Sequence, residues 1–584
     1  MILTILATFV LSCVVGVQGA GPVVLPFNET HYFGFDGPWQ AVPIMVGRPQ
    51  QLINLYPGGN NPIVVLSKNV VQTNLTGRNN TSVSGVYDAS LAETGAGSSQ
   101  VFSPSGRSDL PDGGWGAGPA MSLSGSRALA FTDDVFHESF GSVKNTSLAA
   151  INDTSYQLPD GRQVPLDVGF LSLGGEHFPM TEDFVGTNLP LDLSSNGLIQ
   201  SNTWGLHIGS VHASIPGSLV FGGYDMARVI SDINTAQSPG GIGELFISLL
   251  DISIGVAKGG SPFSFRRMDG LLQTQNSSIT EIKVRPNPTV PYLHLPGNTC
   301  DSITAYLPVG FVPSLGLYIW NTDSPQYRTI ISSPAFLAFT FKQTGSLNNF
   351  TINVPFFLLN LTLTPPLVEV ATPCFPCRPF EPNSEDEEYH LGRAFLQAAF
   401  IGMNWSNRLW WMAQAPGPRL PPSTTTSLEN LSSTITAIDG QAYWTSSWDS
   451  VWTPLAEHVT GDDGPQSPAA ESTSLSAGVK AGIVIGAIAG AATFLVAIFL
   501  VLRRHRKRAK FLHNANSQSY FYQNDQGQMF RAQLPSTGGR SAPRMVWHEM
   551  PPGSPVRHEM PVQPIHRSDP GPGSETIEGL AMDS

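Results

Sequence analysis

The sequence predicts a large all-β body, followed by one transmembrane helix and a polar tail. Short β-rich runs such as "PIVVL", "LAFTF" and "TINVPFFLLNLTL", separated by Gly, Pro, Asn and Ser, continue to about residue 416. Long amphipathic helical periodicity is nearly absent from this part of the chain, which favours sheets and tight turns. A later run of 22 uncharged, mostly apolar residues is long enough to cross a bilayer as one helix.

The chain begins with a segment that is typical of a secretory signal peptide. Residues 1–20, "MILTILATFVLSCVVGVQGA", are apolar and end in small residues, although no Lys or Arg precedes the apolar core. A first transmembrane helix is the alternative interpretation. The "VQGA" ending and the polar residues that follow favour cleavage near Ala20.

The second apolar run, residues 481–502, is followed by the basic block "RRHRKRAK". A basic block beside a span indicates that the next segment is cytoplasmic, so we expect a type I protein of the plasma membrane or a secretory-pathway membrane. Small residues recur every four positions around the start of the span, at Gly478, Gly482, Gly486 and Gly490. They indicate either a helix pair in the membrane or only the ordinary glycine content of such spans.

The tail, residues 503–584, is polar and rich in Pro and Gly, which predicts disorder. It repeats "HEMP" within Pro-spaced sequence, a candidate docking peptide for a cytoplasmic partner. "HEMP" lacks the second His of a helical zinc motif, and no other Cys/His set has metal spacing. We therefore expect no metal and no cofactor.

Glycosylation sequons and charge divide the chain at the predicted span. The sequons all precede it, and they are Asn28, Asn74, Asn79, Asn80, Asn145, Asn152, Asn276, Asn349, Asn360, Asn404 and Asn430. The tail carries eleven Lys/Arg and seven Asp/Glu, a net charge of +4, so the rest carries −17 of the total of −13. An acidic exterior argues against nucleic acid as a partner.

A change of composition marks the end of the predicted body. Residues 417–477 are rich in Ser, Thr and Pro, as expected of an extended, O-glycosylated stalk. The aromatic stretch "QAYWTSSWDSVWTP" interrupts this composition, and it either docks on the body or marks a short binding segment.

Cysteines are few. Cys13 lies in the predicted signal peptide, which leaves Cys300, Cys374 and Cys377. In an oxidising compartment we expect one disulfide, from Cys300 to Cys374 or to Cys377, and one remaining thiol.

Five segments of the body form one ordered set, namely "MVGRPQQ" (45–51), "GFLSLG" (169–174), "GSLVFGGYD" (217–225), "VPYLHLPGNTC" (290–300) and "LGRAFLQ" (391–397). In their order and spacing these segments resemble the pepsin-like aspartic peptidases, especially the fungal membrane-anchored branch. The resemblance covers about residues 30–415. It implies an all-β, bilobed, pepsin-like (acid protease) ectodomain over residues 21–416, with an N-lobe at about 30–225 and a C-lobe at about 240–415.

That family needs two carboxylates, one from each lobe, that share a proton and activate a water. The resemblance places Tyr56 and Gly58 at the Asp and Gly positions of the first catalytic turn, and a one-residue slip would place Pro57 at the Asp position instead. In the second lobe it places Asn287 at the Asp position, with Pro288 and Thr289 following. No Asp or Glu occurs from residue 37 to 87 or from 282 to 300, so we expect both catalytic positions to be degenerate.

The sequence therefore predicts a peptidase scaffold that lacks its acids. One hypothesis is a cell-surface protein for ligand binding, adhesion or sensing, whose cleft takes peptide or glycan and is lined by Tyr56, Gly58, Asn60, Asn287 and Thr289. A second is that the cleft is merely filled. A third is an active membrane-anchored aspartic endopeptidase that processes secreted or cell-wall proteins and uses acids elsewhere, for which the candidates are Asp133, Asp134 and Asp192.

Overall fold

We describe the fold from a computed structural model of the chain. The described residues are 21–59, 62–68, 84–102, 123–124, 128–151, 155–175, 178–181, 184–238, 245–274, 281–345, 348–382, 388–438, 440–457, 520–523 and 529–532. None of their helices combines the length and apolarity that a membrane crossing requires. The predicted signal peptide (1–20), the predicted span (481–502) and its four glycines lie outside the described residues.

The chain divides into two compact units, Met1–Gly461 and Asp462–Ser584. In the second unit, two antiparallel strands, Tyr520–Gln523 and Met529–Ala532, are described within the tail that was predicted to be disordered. The remainder of the tail lies outside the described residues. The β-rich body that the sequence predicts lies in the first unit.

The first half of this unit is almost entirely β-structure. Its strands are β1 Val23–Leu25, β2 Val42–Val46, β3 Gln51–Pro57, β4 Ile63–Leu66, β5 Ala96–Phe102, β6 Leu123–Ser124, β7 Ala128–His137, β8 Gly141–Ile151, β9 Ser155–Gln157, β10 Gln163–Pro165, β11 Gly169–Leu171, β12 Phe178–Thr181, β13 Phe184–Gly186, β14 Thr203–His207, β15 Ser218–Phe221 and β16 Gly223–Asp225. A seven-stranded sheet in the order β2-β3-β11-β4-β8-β7-β5 forms the first lobe.

The second half of this unit is also mostly β-structure. Its strands are β17 Ile230–Gln237, β18 Ile247–Val256, β19 Arg267–Met268, β20 Ile282–Pro286, β21 Leu293–Leu295, β22 Val309–Val312, β23 Leu317–Trp320, β24 Ala335–Lys342, β25 Asn349–Pro355, β26 Leu361–Leu363, β27 Thr372–Phe375, β28 Cys377–Pro379, β29 Tyr389–Leu391, β30 Ala399–Asn404, β31 Leu409–Gln414 and β32 Thr425–Ser427. An eight-stranded sheet, β25-β24-β18-β20-β29-β21-β28 with β19 beside β18, forms the second lobe.

A six-stranded sheet, β1-β15-β14-β30-β31-β17, joins strands from both halves of the unit. The helices that are described are short, namely α1 Leu189–Ser195, α2 Gly297–Thr304, α3 Pro325–Ser332, α4 Arg393–Leu396 and α5 Gln441–Ser447. Apolar side chains of both lobes form one contiguous core. The predicted all-β fold is confirmed.

The two lobes repeat one arrangement of strands around a central turn. In the first lobe β3 pairs in parallel with β11, which pairs antiparallel with β4. In the second lobe β20 pairs in parallel with β29, which pairs antiparallel with β21. The turns β3–β4 and β20–β21 are therefore equivalent. Each turn connects two strands that lie on either side of a third strand, and this middle strand comes from later in the chain.

The prediction of a stalk that begins at residue 417 is wrong for its first forty residues. β32 pairs with β16, and the carboxylate of Asp225 accepts hydrogen bonds from Ser423 Oγ and Thr424 N at 2.9 and 2.8 Å. Trp444 and Trp448 are fully buried. Composition was misleading because a Ser/Thr-rich average hides a few apolar side chains that the body buries. We call residues 417–438 and 440–457 the strap.

The disulfide joins Cys300 of α2 to Cys377 of β28, across a separation of 77 residues. Cys374 is the buried free thiol among the described residues. The sequence left these two partners open, and the tertiary position of β28 beside α2 selects Cys377.

The six described sequons differ in exposure. Asn145, Asn349 and Asn430 are exposed, and Asn28 and Asn360 are partly buried. The expectation of a glycan on Asn404 is wrong for the folded chain, because this side chain is 0% exposed and donates to carbonyl groups of the strap. The other sequons lie outside the described residues, and they are Asn74, Asn79, Asn80, Asn152 and Asn276.

Candidate functional site

The tips of the two equivalent turns meet at the junction of the lobes. A Cβ built on Gly58 would lie 2.7 Å from Cγ of Pro288 and 3.0 Å from Cγ2 of Thr289. Real Cβ atoms do not come this close to other atoms, so the first turn accepts only glycine here unless the second turn moves. Pro288 therefore occupies the space into which a side chain at residue 58 would extend.

Backbone register identifies which residues of the two turns correspond. Gly58 N donates to Leu171 O at 2.9 Å, and Asn287 N donates to Leu391 O at 2.9 Å, each just after the parallel pairing ends. Gly58 is thus the counterpart of Asn287. Tyr56, which the sequence placed opposite Asn287, corresponds instead to Arg285. The two-residue error arose because "YPGGNNP" has no side chain that anchors an alignment.

Asn287 is engaged within its own lobe. Its Oδ1 accepts hydrogen bonds from Thr289 N at 3.0 Å and from Thr289 Oγ1 at 2.6 Å, and its Nδ2 lies 3.3 Å from Nδ1 of His390. Burial lowers the pKa of His390 to about 3, and the nearby Arg285 acts in the same direction. A neutral imidazole accepts the amide N–H, so the amide is held by partners on both sides.

Tyr56 lies beneath the tips and is buried, with 4% of its surface exposed. Its hydroxyl has no hydrogen-bond partner among the described residues. Burial, reinforced by the charge of Asp167, raises the phenol pKa well above its ordinary value. The phenol therefore stays neutral and cannot serve as a base.

Arg393 of α4 connects the lobes under the tips. Its guanidinium lies 4.3 Å from the ring centre of Tyr56 and 4.9 Å from that of Trp39, stacked against two side chains of the first lobe. Nη1 donates to the carbonyl oxygens of Pro288 and Thr289 at 3.1 and 3.0 Å. Only 4% of Arg393 is exposed. One side chain thus holds the second turn against the floor of the first lobe.

The counter-charge of Arg393 is Asp36. Arg393 Nη2 donates to Asp36 Oδ2 at 3.2 Å, and Trp39 Nε1 donates to Oδ1 at 2.7 Å. Burial raises the pKa of Asp36, although Arg393 opposes the shift. Burial also raises the pKa of Asp167 to about 7, and the neighbouring Asp36 adds to this rise. Both carboxyls come from the first lobe, beneath the turns rather than at their tips.

The structure turns most of the predicted cleft-lining residues inward. Tyr56, Asn287 and Thr289 are 4%, 5% and 1% exposed, and Gly58 is buried against the second turn. Asn60 lies outside the described residues. The side chains of Tyr56, Asn287 and Thr289 are thus almost fully buried, and the expectation that these residues contact a ligand stays a prediction.

The alternative acids belong to other elements than the two turns. Asp133 is fully buried in β7, where it accepts from Tyr87 Oη at 2.8 Å and Thr94 Oγ1 at 2.6 Å. Its neighbour Asp134 follows it on the same strand, and Asp192 accepts from Asn196 on α1. Among the described residues no His/Cys/Asp/Glu group has the arrangement that would hold a metal ion.

The residues that sequence reasoning missed are Asp36, Asp167 and Arg393. A charge within the apolar run "LGRAFLQ" was the one available signal, because a buried Arg needs a partner. Its partner lies 357 residues earlier in the chain, and nothing local points to it.

The two equivalent lobes, with their turns meeting over a joining sheet, define a pepsin-like β architecture. The chain is 26% identical over 277 residues to an "Acid protease" of Saccharomycopsis fibuligera, covering 47% of this chain and 63% of that protein. It is 28% identical over 225 residues to "Secreted aspartic protease 8" of Candida albicans, covering 38% of this chain and 48% of that protein.

The chain thus spans less than two thirds of the length of these curated relatives. No family model matches it. The weak homology supports a pepsin-like family.

Proposed function

We propose that the chain is a non-catalytic pepsin-like protein of the secretory route. The observation that carries the proposal is the pair Gly58 and Asn287, which occupy equivalent positions at the turn tips and bring no carboxylate. Water activation by a shared-proton dyad needs an ionisable oxygen from each lobe. A glycine and a hydrogen-bonded amide supply none.

The relatives' names, one of which includes the word "secreted", support a location outside the cytoplasm. The apolar runs at residues 1–20 and 481–502 support a cleaved signal and a type I membrane anchor, and the exposed Asn145 and Asn349 support glycosylation. We likewise propose that two spans pair through the glycine series. We also propose that a cytoplasmic protein binds the tail.

In this proposal the ectodomain acts in ligand binding, adhesion or sensing. At the floor of the junction Asn287 and Arg393 are hydrogen-bonded inward and Tyr56 is buried, so a peptide or glycan ligand would be held by the surrounding walls and loops. Because the chain does not hydrolyse its ligand in this proposal, the stable, glycosylated surface of the two-lobed ectodomain carries the function.

An active aspartic endopeptidase is the second candidate, and the raised pKa values of Asp36 and Asp167 are the observation that favours it. Against it, both acids belong to one lobe, and Asp36 is held by Arg393 and Trp39. Neither carboxyl faces a partner across the two tips.

A peptide-hydrolysis assay distinguishes the two candidates. The purified chain is incubated with a general protein substrate from acidic to neutral pH, with and without a transition-state peptide inhibitor, beside Asp36→Asn and Asp167→Asn. We expect no turnover in any sample. Inhibitor-sensitive turnover that is lost in Asp167→Asn would establish the peptidase instead.

A further inference from the structure

We infer that the junction under the turn tips is a proton-dependent latch. While Asp167 is protonated, the Asp36–Arg393 ion pair holds the second turn against the first lobe. When Asp167 ionises, this hold weakens. The inference goes beyond the proposed function, because it concerns how tightly the lobes are joined rather than what they bind.

The first step is that Arg393 forms a cross-lobe contact in which its side chain is fixed by partners in both lobes. It is fixed on α4 of the second lobe, donates to Pro288 O and Thr289 O of the second turn, and pairs with Asp36 of the first lobe. Its side chain and that of Asp36 are 5% and 11% exposed. Removal of either charge leaves the other buried without compensation, so the joint depends on the local charge balance.

The second step is that a second carboxyl lies beside this pair. A Cβ on Gly34 would lie 2.8 Å from Asp36 Oδ1 and 2.8 Å from Tyr56 Oη. The N–H of the same Gly34 donates to the side chain of Asp167. Asp36 and Asp167 therefore converge on one glycine, beside the hydroxyl of Tyr56.

The third step is the charge count at the junction. The groups that face the two carboxyls are Arg393, Tyr56, Tyr156, Tyr292 and Cys374, and of these Arg393 is the cation. Arg378 interacts with Tyr156 and Tyr292 rather than with the acids. Burial raises the pKa values of the three tyrosines and of the Cys374 thiol, so these groups stay neutral. Two ionised acids against one guanidinium leave one uncompensated negative charge, and one proton removes it.

The direction of the pH effect follows from linkage. The pKa of Asp167 is raised in the folded chain, from 3.8 to about 7. An acid whose pKa is raised by folding contributes its full stabilisation below the pKa that it has in the unfolded chain. This contribution is lost as the pH rises through the pKa that it has in the folded chain. The latch is therefore tight in acidic surroundings and weaker above neutrality, a change that suits a chain passing between compartments of different pH.

Denaturation of the full-length chain in urea at pH 5 and pH 8 tests the latch, with Asp167→Asn as the main variant. Asn keeps the shape and still accepts from Gly34 N–H. We expect the wild-type midpoint to fall clearly from pH 5 to pH 8 and the variant midpoint to change by less than half as much. Asp160→Asn is the matched control, because Asp160 is an exposed carboxyl of lowered pKa and stays ionised throughout, so it should keep the wild-type fall.

Amide hydrogen exchange at Asn287, Thr289 and Val290, which carry the backbone N–H groups of the second turn, provides the second readout and needs no variant. After correction for intrinsic rates, we expect exchange there to rise several-fold from pH 5 to pH 8 in the wild-type chain. A wild-type midpoint or corrected exchange rate that does not change with pH overturns the latch. So does an Asp167→Asn chain that keeps the full wild-type fall.

Discussion

Gly58 of the first lobe and Pro288 of the second are in contact, so that a Cβ at residue 58 would meet Pro288 Cγ at 2.7 Å. An active dyad needs room between the two tips for carboxylates and a water. Here a proline ring fills that room. In the non-catalytic protein that we propose, the shape of this junction opposes catalysis as well as the missing acids, so we expect that restoring the acids alone will not produce hydrolysis.

The first prediction concerns that repair. Gly58→Asp combined with Asn287→Asp should give no hydrolysis and should lower the free energy of unfolding by about 1–3 kcal/mol, the usual cost of overpacking. Adding Pro288→Ser should recover only part of this loss, because the clashing ring is removed but residue 58 keeps a positive φ and the contact with Thr289 Cγ2. Urea denaturation and a peptide-hydrolysis assay measure both effects, with Asn287→Asp alone as the control. Hydrolysis by the double variant would contradict the steric argument.

The second prediction concerns the cross-lobe ion pair. Arg393→Met should destabilise the chain by about 3–5 kcal/mol, because Asp36 is left buried without its partner. The double variant Asp36→Asn, Arg393→Met should lose less than the single change. Arg419→Met is the matched control: this arginine is 59% exposed in a surface pair with Asp449, so its loss should cost under about 0.5 kcal/mol. If Arg393→Met and Arg419→Met lower the free energy of unfolding equally, the cross-lobe ion pair does not stabilise the fold as proposed.

The third prediction concerns the strap. Trp444 is fully buried and contacts Phe336 and Trp452, with ring centres 5.5 and 5.4 Å away. Trp444→Ala should cost about 3–5 kcal/mol and expose the strap to limited proteolysis. Ser446→Ala, at an exposed position on the same helix, should change neither measurement. If the strap of the Trp444→Ala chain resists protease as well as wild type, its docking does not depend on this aromatic contact.

The fourth prediction concerns glycosylation. Asn404 Nδ2 donates to Glu429 O, Asn430 O and Ser432 O at 3.3, 3.2 and 3.1 Å, so a glycan there would prevent the strap from docking. Mass spectrometry of the chain purified from a glycosylating host should find Asn404 unmodified and the exposed Asn349 occupied. Asn404→Gln should destabilise by about 1–3 kcal/mol through unsatisfied carbonyls, whereas Asn349→Gln should not. A glycan on Asn404 in folded chain would refute the assigned packing.

The sequence pattern predicted correctly those features that depend on neighbouring residues. Alternation and turn residues predicted the β-class over the whole body, and the acid-free intervals around both turns were visible without any alignment register. The stalk boundary failed for the opposite reason, since the burial of Trp444 and Trp448 depends on a surface that residues far away provide.

The sequence by itself determined that the body is β-structured and that neither turn region contains a carboxylate, because both depend on residue types in short stretches. Only the tertiary structure decided that Gly58 is the counterpart of Asn287, that Cys377 pairs with Cys300, and that Asp36 meets Arg393. These relationships join residues from different parts of the chain. Their partners are set by how whole sheets pack, which no local pattern encodes.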